Sequence, residues 1–90
     1  MLYAIQNHLL ANPKRGDIVQ GTGGVHKARV ADPQSARGKR ASFRYLYLYL
    51  ENRGHIYLLY LYGKGEQSDL SPEQKKTVTR LAQMIKEESK

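Results

Sequence analysis

Cysteine and tryptophan are absent from this chain of 90 residues, and histidine occurs only three times. Without cysteine there is no disulfide framework, and nothing points to an oxidising compartment. No run approaches the roughly 18 apolar residues of a membrane-spanning helix. The start, Met1 to Gln6, has neither the basic opening nor the long apolar stretch of a secretory signal. His8, His26 and His55 lie far apart, and no Cys/His or His/carboxylate pair has ligand spacing, so neither a metal nor a cofactor is expected. From these absences the expectation is one small soluble domain over residues 1–90, cytoplasmic and with no membrane partner.

Acidic residues are also scarce, 8 against 15 Lys and Arg, which leaves a net charge of +7. The excess is concentrated. Between Lys14 and Lys64 stand ten basic residues against three acidic ones, Asp17, Asp32 and Glu51. From Gly65 to Lys90 there are five of each. A central stretch that carries all of the net charge suggests a polyanion-binding face; a solvated basic loop is the plainer explanation.

Periodicity predicts the elements. Leu2, Ile5 and Leu9, flanked by Tyr3 and Leu10, form a helical stripe, and Pro13 ends that helix at Asn12. Ile18-Val19 predicts a short strand, followed by the turn Gly21-Thr22-Gly23-Gly24. Val25 to Val30 alternates, with Val25, Lys27 and Arg29 on one face and His26, Ala28 and Val30 on the other. Asp32 to Ala41 reads as a basic loop. Ser42 to Glu51 reads as a central strand, with Phe43, Tyr45, Tyr47 and Tyr49 on one side and Arg44, Leu46, Leu48 and Leu50 on the other. Asn52-Arg53-Gly54 turns into a strand over His55–Tyr62. Ser71-Pro72-Glu73-Gln74 predicts a capped helix whose apolar stripe is Val78, Leu81, Ala82 and Ile85. The order predicts an α+β fold: an antiparallel sheet of three or four strands with a helix from each end of the chain packed on it.

Few motifs carry chemistry. No serine sits in a nucleophile elbow, and Gly63-Lys64-Gly65 lacks the glycine spacing and hydroxyl of a phosphate-binding loop. The tyrosine stripe reads as core rather than as a base-stacking platform, because stacking aromatics alternate with charge on an open face. What remains is a set of cations on strands: Lys27 and Arg29, then Arg44, then Lys64. Cleaving a phosphodiester without metal requires a base, an acid and positive donors for the phosphoryl oxygens, and Lys and Arg can supply these. Simple nucleic-acid binding explains the same pattern equally well.

Longer stretches resemble a known family. NPKRGDIVQGTGGVHKARV, Asn12 to Val30, resembles the NPxxGDVIxGTGGLRKxRV pattern of HigB-type toxins in the RelE/ParE superfamily. Gly38-Lys39-Arg40 resembles their GKRGG loop, and Arg44 to Tyr47 resembles their RxIYY strand. Leu59 to Ser71 resembles LLxxYxKNExxDLS. Order and spacing agree from Asn12 to the last helix. His26 stands where the branch usually has arginine, Gly65 where it has asparagine, and Ser71 where RelE has tyrosine.

The resemblance implies a RelE-like fold, normally opened by a strand that has no counterpart here. It implies the toxin of a type II toxin–antitoxin pair, an endoribonuclease that cuts mRNA on the ribosome with the ribose 2′-hydroxyl as nucleophile and no metal. Lys27, Arg29, Arg44 and Lys64 match the catalytic positions. Lys27 or Arg29 would be base or phosphate anchor, Arg44 the transition-state clamp, and Lys64 phosphate contact or acid. Arg37, Lys39, Arg40 and His26 would bind RNA. Expected partners are a helix-turn-helix antitoxin of the HigA type, the ribosome with its mRNA, and a second copy joined at a bare sheet edge. Two alternatives stand beside this one: a weak or inactive homologue that keeps antitoxin or RNA binding, and a ParE-like poison of a protein target.

Overall fold

Pro13 cannot continue a helix, and the first helix ends two residues before it. The structure, a computed structural model, describes residues 2–14, 16–31, 42–63 and 69–89. Helix α1 spans Leu2–Ala11. The Asn12 N–H still donates to the His8 carbonyl at 3.1 Å, and the Asn12 side chain accepts from Lys14 N–H. Four strands follow, β1 Asp17–Ile18, β2 Val25–Ala31, β3 Ser42–Leu50 and β4 His55–Gly63, and helix α2 covers Pro72–Glu88. The strands form one sheet in the order β1-β2-β3-β4, with every pairing antiparallel. The fold is α+β and RelE-like, as expected.

The turn into β2 is fixed by local chemistry. Gly21, Gly23 and Gly24 all have positive φ, a region L side chains rarely adopt. Thr22 between them is buried, its hydroxyl donating to the Val19 carbonyl at 2.6 Å and accepting from Val25 N–H at 3.2 Å. β1 lies one residue earlier than Ile18-Val19, although Val19 N–H still reaches the Val25 carbonyl at 2.8 Å. Gly16 is required for a different reason. A Cβ there would stand 2.7 Å from the Lys27 carbonyl oxygen, while its N–H donates to the Tyr47 hydroxyl at 3.0 Å.

Each face of the sheet is covered by one helix. Beneath α1, Ile5 and Leu9 pack with Val30, Tyr45 and Tyr47. Beneath α2, Val78 and Ala82 pack with Val25, Leu46 and Leu48. The tyrosine stripe is therefore core, as the alternation predicts. One stripe position departs from expectation: Leu81 is 38% exposed. Leu10, which flanks the α1 stripe, is 80% exposed. Leu10 lines an apolar groove of about 360 Å³ with Ile5, Gln6, Leu9, Ile56 and Leu58, along the α1 side of β4.

Helix α2 begins as its sequence requires. Ser71 is the N-cap: its hydroxyl accepts from Gln74 N–H at 3.1 Å, and the Gln74 side chain accepts from Ser71 N–H at 2.9 Å. At the other end Lys86 Nζ donates to the Gly23 carbonyl, tying α2 to the glycine turn. The expected loop over Asp32–Ala41 lies outside the described residues. β4 runs one residue past the expected Tyr62, to Gly63. Among the described residues, no helix is long and apolar enough to cross a membrane.

Candidate nucleic-acid interface

The α2 face of the sheet changes character along its length. One end is the apolar patch of Val25, Leu46 and Leu48 beneath α2. At the other end Arg29 pairs with Arg44, and Arg44 pairs with Tyr62, in one rung across three strands. The neighbouring rung is Lys27, Leu46 and Tyr60. Period-two alternation places Lys27, Arg29 and Arg44 on one side of the sheet. With Asp17 and Ala28 they line a cleft of about 340 Å³.

Like charges directly opposite on neighbouring strands destabilise a sheet. A rule broken in this way is most often found at functional positions, which makes the Arg29–Arg44 rung a candidate site. The rung also holds two enclosed polar atoms, Arg44 Nε and the Tyr62 hydroxyl, neither with a hydrogen-bond partner among the described residues. Burial pushes the Tyr62 hydroxyl above its usual pKa, and the positive charges of Lys27 and Arg44 oppose that shift. The neighbouring Tyr60 differs: its hydroxyl accepts from Gln74 Nε2 at 3.0 Å.

Two carboxylates border the cleft. Asp17 is the β1 partner of Lys27, and Asp69 reaches Lys27 Nζ at 3.2 Å. Asp69 is held below its usual carboxylate pKa, first by the Leu70 N–H at 2.8 Å and then by Lys27. Neither acid belongs to the periodic pattern that reveals the cations. Tyr62 could have been read as the cross-strand partner of Arg44 once the β3–β4 register was known. Asp69 lies 42 residues from Lys27, and no sequence signal joins them.

Of the expected site residues, the structure brings Lys27, Arg29 and Arg44 together. It does not bring His26 to them. His26 is on the α1 face, stacked on Tyr47 with ring centroids 5.0 Å apart and an interplanar angle of 14°. Burial lowers its pKa, a hydrogen bond with the Gly24 backbone opposes this, and the charge of Lys14 adds to the lowering. Lys64, Arg37, Lys39 and Arg40 lie outside the described residues. The ends of the segments that carry them are nevertheless placed: Ala31 pairs with Ser42, and Phe43 with Gly63. Both pairs lie at the cationic end of the sheet, beside the Arg29–Arg44 rung. Among the described residues, no group of three or more His, Cys, Asp or Glu comes together as a metal site.

Three cations in a shallow cleft suit a phosphate backbone, since Arg offers paired donors and Lys a compact charge. Residues 11–90 match a family model described as the RelE toxin of the RelE / RelB toxin-antitoxin system, and the match spans the whole sheet, the cationic cleft and α2. The chain belongs to the RelE toxin family and is the toxin of a toxin–antitoxin pair, whose partner is an antitoxin.

Proposed function

We propose that this toxin is of the HigB type and is a ribosome-dependent mRNA endoribonuclease that halts translation. The observation that carries the reading is the Arg29–Arg44 rung with Lys27 in the same cleft, three cations held together against their own repulsion. In the reaction a ribose 2′-oxygen bonds to the adjacent phosphorus while the bond to the next 5′-oxygen breaks. A cyclic 2′,3′-phosphate and a 5′-hydroxyl result, one proton leaving the nucleophile and one reaching the leaving oxygen. Negative charge grows on the phosphoryl oxygens, where preorganised guanidinium donors are most effective.

In this scheme Arg44 clamps the transition state, and Lys27 or Arg29 is the phosphate anchor or the base. Lys64 contacts the phosphate or donates to the leaving oxygen. Arg37, Lys39 and Arg40 contact ribosomal RNA, and His26 would do so only from the other side of the sheet. The antitoxin is a helix-turn-helix protein of the HigA type. A second copy of the chain pairs along β4, whose nine residues carry no Asp, Glu, Lys or Arg.

Induced expression in bacteria, with mapping of mRNA ends, tests the reading. Growth arrest with new 5′ ends inside translated frames is expected, and Arg44→Ala should abolish both. Arrest with intact mRNA would overturn it.

A further inference from the structure

An acid beside a phosphate-binding lysine works against binding, so the Asp69–Lys27 contact calls for a reason. Stability is a poor one. The Asp69 side chain is 70% exposed, and ion pairs that open to solvent contribute little. The connections of Asp69 suggest another. Its Oδ1 accepts both Lys27 Nζ at 3.2 Å and the Leu70 N–H at 2.8 Å, so the carboxylate is oriented from its own backbone side. The next residue, Ser71, caps α2 in a reciprocal box with Gln74, and Gln74 Nε2 donates to the Tyr60 hydroxyl at 3.0 Å. Tyr60 and Lys27 are the two cross-strand partners of Leu46. The bridge that starts at Lys27 therefore returns to the same rung of the sheet, on the far side of β3.

We infer that Asp69 is a positioning residue: anchored through the first turn of α2 to Tyr60, it holds the Lys27 ammonium in the cleft at a cost in RNA affinity. The inference rests on the endoribonuclease reading. It separates two quantities that a purely electrostatic or purely structural role would move together. Removing the negative charge strengthens attraction for a polyanion, whereas releasing Lys27 misplaces a group at the reacting phosphate.

The test compares the parent with Asp69→Asn, which keeps an oxygen for the Leu70 N–H, and with Lys27→Ala and the double variant. Affinity is read with a single-stranded oligoribonucleotide probe, and single-turnover cleavage with mRNA-programmed ribosomes. Asp69→Asn should bind the probe several-fold more tightly yet cleave roughly 10-fold to 100-fold more slowly. In the Lys27→Ala background the same change should alter cleavage by less than about twofold, because the residue it positions is gone. Cleavage by Asp69→Asn at or above the parent rate would overturn the inference and leave the endoribonuclease reading intact. So would equal slowing in both backgrounds, which marks a structural role. A parent protein that binds RNA without cutting it overturns both.

Discussion

Arg29 and Arg44 stand directly opposite each other on β2 and β3, with Tyr62 completing the rung on β4. Like charges in that position cost sheet stability, and in the proposed reaction they offer a phosphate two donors at once. Function and stability should therefore separate at these positions. Arg44→Ala should reduce cleavage by about 10²–10³-fold, as loss of one preorganised donor does. Its melting temperature should equal or exceed the parent's, since like charges directly opposite on neighbouring strands destabilise a sheet. Calorimetry beside a toxicity assay checks this; unfolding of Arg44→Ala would refute it.

Salt should govern RNA binding. On single strands each neutralised phosphate contributes about −0.7 to the slope of log affinity against log salt. Lys27→Ala, Arg29→Ala and Arg44→Ala should each flatten that slope by about one such increment. A slope unchanged in all three would place the RNA elsewhere on the protein.

His26 predicts an acid-side loss of stability. Burial against Tyr47 holds its pKa below the ordinary 6.5, so between its folded and unfolded pKa values the unfolded chain binds more protons. Stability is then full above the unfolded value and falls as pH drops through it toward the folded one. His26→Phe, which keeps the stack, should remove that part of the pH dependence. Denaturant midpoints for both proteins across pH 7 down to about 5 decide the matter; parallel curves would count against it.

The β4 edge should recruit a second copy. Among the described residues its outer side has no partner strand, and Leu58 and Leu61 are 39% and 36% exposed. Light scattering should give a concentration-dependent dimer mass. Leu58→Lys should restore the monomer, since charge on an edge strand discourages pairing. A parent protein that stays monomeric at high concentration would show the edge to be inert.

The sequence by itself determined what depends on near neighbours. Pro13 set the end of α1, Ser71 with Gln74 capped α2, and period-two alternation sorted the tyrosines of β3 from Arg44 and its leucines. Each of these acts over a few residues, through a missing N–H, a side-chain oxygen or the pleat, so each can be read along the chain. Only the tertiary structure decided which residues face one another. The β2–β3 register put Arg29 opposite Arg44, where a slip of one residue would have sent every side chain to the other face. Packing of α2 on the sheet left Leu81 38% exposed despite its place in the stripe. The fold also carried Asp69 across 42 residues to Lys27, because α2 is anchored through Gln74 to Tyr60. Contacts of that kind depend on how whole elements pack, and local spacing holds no record of them.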